Sequence, residues 1–215
     1  MSARRLTKVL LFLALFVGSL IGLARATAIR WWRVPNDDPY LEASVAPTLS
    51  GGDLIILWRL SKPTFGDLVL CPEPKAPGRS VIGRVLGTSG DRVQVEGIHV
   101  RVNGQAMRDE SECREPTFTV TDPSSKVEVE QKCDRENLSG RVHQRGNIPG
   151  GREVSPVTLE ADREQGILVS DNRLFPYDSR DFGPVDLPSC KETVIFRLVS
   201  AKGFGDVATR LSIVW

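Results

Sequence analysis

The sequence predicts an all-β, mostly antiparallel fold with one N-terminal transmembrane helix and an inserted β-rich cap. Three observations predict it. Val9–Ala24 is a sixteen-residue run, apolar except for Ser19 and two glycines. Beyond residue 40, short apolar runs alternate with Gly, Pro, Asn and Asp turn signals, and no ten-residue stretch carries a convincing helical period. Between about residues 107 and 163 the composition changes, then regular strand patterns resume.

The N-terminal run comes first. With Ala26–Ile29 and a snorkelling Arg25 it reaches about 21 residues, enough for roughly 30 Å of hydrocarbon. Trp31 and Trp32 follow, placed as interfacial aromatics would be. The segment alone leaves two alternatives open. A cleaved signal peptide would use Arg4, Arg5 and Lys8 as its charged region and Ala24-Arg25-Ala26-Thr27-Ala28 as its small-x-small exit. A retained anchor would use the same basic start to stay inside. Both put the chain after residue 33 outside the cytoplasm, and four cysteines suit that oxidising side.

The body follows in order. Leu54–Trp58 reads as a buried strand after the Gly51-Gly52-Asp53 turn, and Asp67–Cys71 as another, closed by Pro72. Val81–Leu86 is a third, ending at Gly87. Arg92–Glu96 and Ile98–Val102 flank Gly97, and Asn103-Gly104 is a two-residue hairpin signal. In the cap, Lys126–Glu130 alternates as a strand with one wet face, and Gly146–Pro156 is Gly/Pro-rich. Cys113 and Cys133 lie close in sequence, and a bond between them closes a loop of about 20 residues for roughly 3 kcal/mol. Cys71 and Cys190 read equally well as a bonded pair or as free buried thiols. Ile167–Val169 and Val194–Val199 complete the strands. The expected division is a membrane anchor at 1–33, a core from 34–106 and 164–215, and a cap at 107–163.

Composition bounds the function. Of 215 residues, 40% are hydrophobic and 26% charged, so the chain can bury a core. Residues 1–33 hold six Lys/Arg and no acid, whereas the remainder holds 22 Lys/Arg against 27 Asp/Glu. That acidic body argues against nucleic-acid binding through phosphate contacts. Two histidines and four scattered cysteines offer no zinc spacing, so no metal and no cofactor are expected.

Four segments carry chemistry together. They are Ser44-Val45-Ala46-Pro47-Thr48-Leu49 with Gly52-Asp53; Phe65-Gly66-Asp67-Leu68-Val69; Arg84-Val85-Leu86-Gly87-Thr88-Ser89-Gly90-Asp91; and Ser170-Asp171-Asn172-Arg173 with Asp178-Ser179-Arg180-Asp181-Phe182-Gly183. Singly, each reads as a turn or a surface pair. In this order they resemble the boxes of type I signal peptidases, membrane-anchored endopeptidases with a serine–lysine dyad. Those read Ser-Met-x-Pro-Thr-Leu, Gly-Asp-x-Val, Lys-Arg-Val-x-Gly-x-x-Gly-Asp, and Gly-Asp-Asn-Arg with Asp-Ser-Arg-x-x-Gly. The resemblance covers about 1–106 and 164–215. It implies a signal-peptidase-like β fold and a retained anchor. It also implies a single-pass protein of the inner cell membrane, with a cytoplasmic N-terminus and an extracytoplasmic main domain. Signal peptides or preproteins and the lipid bilayer are the implied partners.

The implied mechanism needs a serine nucleophile, a lysine kept neutral by burial, and donors for the oxyanion. Ser44 matches the nucleophile. The base position is Gly83, and Arg84 beside it cannot serve because a guanidinium stays protonated. The oxyanion-donating serine two residues before the nucleophile is replaced by Glu42, and the serine that orients the lysine by Pro176. Val45 for methionine is a packing change. The implied supporting residues remain: Arg84 to pair with Asp171, Asp178 with Arg180, beside Asn172 and Ser179. A base migrated to Lys62 or Lys75 would need a buried path to Ser44, and their proline-rich surroundings suggest exposed loops. The expected function is that of a signal peptidase I-like membrane protein with Ser44 as nucleophile and no base. The alternatives are an inactive homologue that binds signal peptides or extended chains, and a subunit of a membrane complex.

Overall fold

A computed structural model describes residues 3–147 and 156–214. Helix α1 spans Ala3–Thr27. Thr7–Thr27 is long and apolar enough to cross a membrane, and Leu10, Leu11, Phe12 and Phe16 stand exposed along it. Such an exposed apolar helix needs a non-aqueous surrounding. Strand β1 (Ile29–Arg33) begins two residues later and pairs antiparallel with β2 (Leu54–Trp58). This corrects the expectation for three residues. Ile29 lies in the sheet rather than the span. Trp32 packs against the core, because alternation along β1 turns it inward. Trp31 faces outward with the Arg25 guanidinium 4.4 Å from its ring centre.

Helix α2 (Pro39–Val45) is capped by Asp38, whose carboxylate accepts from the Leu41 N–H, with Pro39 at the first helical position. At seven residues it is too short to display a helical period. The core strands are β3 (Leu68–Pro72), β4 (Ser80–Gly87), β5 (Arg92–Glu96), β6 (His99–Val102) and β7 (Gln105–Ala106). The cap adds β8 (Arg108–Thr121), β9 (Glu128–Leu138) and β10 (Arg141–Asn147). Then follow β11 (Val157–Glu160), β12 (Gln165–Val169), α3 (Ser179–Phe182), β13 (Val185–Asp186), β14 (Glu192–Val199) and β15 (Ser212–Ile213). The strand expected at Lys126–Glu130 starts at Glu128. Lys126 has φ +61° and donates from its N–H to the Asp122 carbonyl, so it belongs to the turn between β8 and β9. Most of the Gly146–Pro156 stretch lies outside the described residues.

The main sheet runs β1-β2-β14-β3-β4-β12-β13, with β15 added on β14, and its pairings are antiparallel. A second sheet runs β11-β5-β6-β7, so Val157–Glu160 pairs with β5 across the expected cap boundary. The cap forms a third, β10-β9-β8. Its Leu138 joins Leu86, Val93, Ile167 and Val169 in one apolar cluster, which seats the cap on the core. At the Asn103-Gly104 turn both residues have positive φ, as a two-residue hairpin requires.

Cys113 bonds Cys133 within the cap, and Cys71 bonds Cys190 across 119 residues with 4.4 Å between Cα atoms. Peptide mapping without reductant is expected to recover both linked pairs. Replacing Cys71 and Cys190 together by alanine should lower stability by about 2–5 kcal/mol in denaturant unfolding, the upper end following from the long loop. An unchanged midpoint would contradict this.

Candidate active-site region

Ser44 sits in the last turn of α2 and is fully buried. Its hydroxyl donates to the Leu41 carbonyl at 2.9 Å, three residues back, and its own carbonyl accepts from the Asn172 N–H at 3.0 Å. Two positions before it, Glu42 is exposed, with its carboxyl folded over Gly51. A Cβ placed on Gly51 would come 2.8 Å from Glu42 Cδ. Partial burial raises the Glu42 pKa.

Gly83 lies in β4 opposite Val69 of β3. Its strand neighbours on the same face, Val81 and Val85, pack with Leu168, Phe182 and the Cys71–Cys190 bond. A Cβ at Gly83 would stand 2.9 Å from Leu168 Cβ. The position where the resemblance implies a base is thus closed by a neighbouring strand's side chain, close to its backbone. Lys62 is exposed, and the Lys75 amine donates to the Asp181 carbonyl at 2.7 Å. Neither amine is brought to Ser44.

The four sequence boxes converge on the Arg84–Asp171 pair. Thr48 of the first donates its hydroxyl to Asp171 Oδ2 at 2.6 Å. Arg84 of the third points to the face opposite Gly83 and forks onto both Asp171 oxygens at 2.9 and 2.8 Å. The same guanidinium donates to the Gly66 carbonyl of the second box at 2.8 Å. All of these side chains are buried. In the fourth box, Asp178 caps α3 and forks with Arg180, and it accepts from the Ser170 N–H at 2.7 Å. Burial pushes its carboxyl up, but Arg180 and these N–H donors outweigh it and lower the pKa. The Ser179 hydroxyl accepts from the Leu168 N–H, and Pro176 is half-buried in the loop between.

Sequence reasoning missed the cap's share. Glu136 on β9 and His143 and Arg145 on β10 are buried and meet the core. His143 stands between two carboxylates, with Nδ1 3.2 Å from Asp171 Oδ1 and Nε2 3.1 Å from Glu136 Oε2. Arg173 pairs with Glu136 from the core side, and Arg145 reaches Glu136 and Asp109 at 3.3 and 2.8 Å. Burial pushes Glu136 up, yet Arg173, His143 and Arg145 together hold its pKa at about 2. Burial likewise opposes ionisation of Asp171, and Arg84 and His143 keep it well below the usual carboxylate range. The available signal was a lone histidine and alternating charges at 132–145, a pattern that also describes a solvated strand face.

A search of curated proteins found no match. The family described as signal peptidase, peptidase S26, matches residues 6–199, which span the apolar helix, the four converging boxes and the cap, and the chain belongs to that family.

Proposed function

We propose that the chain is a signal-peptidase-like membrane protein that holds signal peptides or extended chains without cutting them. Family membership implies substrates bearing signal peptides, and α1 suggests membrane association. One observation carries the rest: the place of the base is a glycine against which Leu168 is packed. Among the described residues, the hydroxyl of Ser44, bonded to its own helix, then has no partner to remove its proton. Glu42 and Pro176 support this reading, since neither supplies the hydroxyl the family uses at that place. We further propose that α1 is retained, with the N-terminus cytoplasmic and the main domain extracytoplasmic at the inner membrane. Arg4, Arg5 and Lys8 before the helix and two disulfides in the body support it.

The test uses the full-length chain in detergent with a signal peptide carrying a photoreactive residue near an Ala-x-Ala end. Crosslinking without product is the expected result. Turnover abolished by Ser44→Ala would make it a working peptidase. Absence of any crosslink would favour the role of a subunit in a membrane complex.

A further inference from the structure

The cap meets the core at two places of different chemistry. At one, Glu136 and His143 join Arg173 and Asp171 in the buried charged cluster. At the other, the outer hairpin of β8 and β9, residues 117–132, lies on α2. There Phe118 and Val120 pack with Ala43, Ala46 and Phe175. The Cys113–Cys133 bond ties the two strands together at the base of this hairpin. The β8–β9 register also shifts there, between Glu112 and Thr117. The hairpin is therefore pinned at its base and covers α2 with an apolar face.

Under that cover lie polar groups with no partner among the described residues. Gln131 on β9 is 1% exposed, and neither its amide oxygen nor its amide nitrogen is hydrogen-bonded. Asn172 is fully buried. Its Oδ1 accepts from the Leu174 and Phe175 N–H groups, and its Nδ2 has no partner. Both side chains stand around Gly146. A Cβ there would lie 2.8 Å from Phe118 Cζ, 3.0 Å from Gln131 Oε1 and 3.4 Å from Asn172 Cγ. The Asn172 N–H is the group bonded to the Ser44 carbonyl, so this enclosure adjoins the nucleophile's helix.

We propose that hairpin 117–132 is a hinged flap over α2, and that Gln131 and Asn172 line a site for the backbone of an extended, uncharged polypeptide segment. This rests on the peptide-holding function proposed above. A buried amide without a partner destabilises the closed state, so its retention calls for a ligand. A peptide backbone offers one N–H and one carbonyl per residue. Gln131 Oε1 accepts the first, and Gln131 Nε2 and Asn172 Nδ2 donate to the second. The walls from Ala43, Ala46, Phe118, Val120 and Phe175 are apolar and would desolvate a charged side chain without compensation. The charged cluster keeps the rest of the cap seated while the flap lifts.

The experiment measures binding of a fluorescein-labelled signal peptide to the full-length chain in detergent, together with melting and amide exchange. Gln131→Leu, similar in volume, is expected to raise the Tm by about 2–4 °C and to weaken peptide binding at least about tenfold. Phe118→Ala with Val120→Ala is expected to speed exchange at residues 43–46 without peptide, and to tighten binding by about tenfold. A Gln131→Leu variant that melts lower and binds as wild type would overturn the site. Unchanged exchange at 43–46 in the flap variant would overturn the hinge. If the wild type binds no signal peptide, the holding function fails and takes the site with it.

Discussion

Placing a lysine at position 83 alone is expected to leave the chain without signal-peptide cleavage and less stable than wild type. On the proposed reading, loss of a base costs about 10²–10⁴ in rate, and loss of an oxyanion donor about 10²–10³. These factors act on one unit and do not simply multiply. Two features work against the single change. A Cβ at position 83 meets Leu168 Cβ at 2.9 Å, so β4 or β12 must shift, at roughly 1–3 kcal/mol. Pro176 has no hydroxyl to orient an amine. The expected rescue therefore needs four changes, Glu42→Ser, Gly83→Lys, Leu168→Ala and Pro176→Ser. Leu168→Ala opens the slot, and the lysine's methylenes refill part of the space. Ser44-dependent cleavage of a small-x-small preprotein should then exceed the wild-type rate. The other three changes without Leu168→Ala should give little. A quadruple variant that folds, as shown by its circular dichroism and melting, yet cleaves nothing would mean that the groove has diverged as well.

Asp171→Ala is expected to be among the most destabilising single substitutions in the chain, at about 3–5 kcal/mol, or roughly 6–20 °C in Tm for a domain of this size. It leaves the Arg84 guanidinium fully buried without a counter-charge and removes the acceptor of Thr48. Replacing the pair together, Arg84→Met with Asp171→Leu, should recover only part of the loss, since it removes the unpaired buried charge but leaves Thr48, His143 and the Gly66 carbonyl without that partner. The cluster also sets an acid limit. Glu136 and Asp171 are both held below their ordinary pKa in the folded protein. Their contribution is thus present above the ordinary carboxylate range and is lost as pH falls from about 4.5 towards about 2, where folded Glu136 takes up its proton. Melting in that window should fall steeply for wild type and less for Glu136→Gln, which begins lower. Equal slopes would place the acid sensitivity elsewhere.

Several features were legible from local pattern. Leu54–Trp58 and Arg92–Glu96 were read with their observed limits, because an apolar run between turn residues specifies a strand by itself. The apolar helix needed only length and hydropathy. The long strands of the cap were not legible. Arg108–Thr121 is mostly exposed and charged on both faces, so it shows no apolar alternation, and Arg141–Asn147 carries His143, Arg145 and Asn147, whose burial comes from partners on other elements, so it looks solvated in sequence. Trp31 and Trp32 show the same limit: side by side they read as one interfacial pair, and the pleat of β1 sends one outward and one into the core.

The sequence by itself determined the family, through the order of four boxes, and pointed to Ser44, Glu42, Gly83 and Pro176 as the positions on which the proposed loss of chemistry rests. It did so because residue identity at a motif position is local information. Only the tertiary structure decided that position 83 is closed by Leu168 and that all four boxes meet on the Arg84–Asp171 pair. It alone showed that the cap shares that buried charge through His143 and Glu136. Those facts depend on which side chains from distant strands are brought within 3–4 Å of one another, a distance fixed by strand register and packing rather than by any one segment.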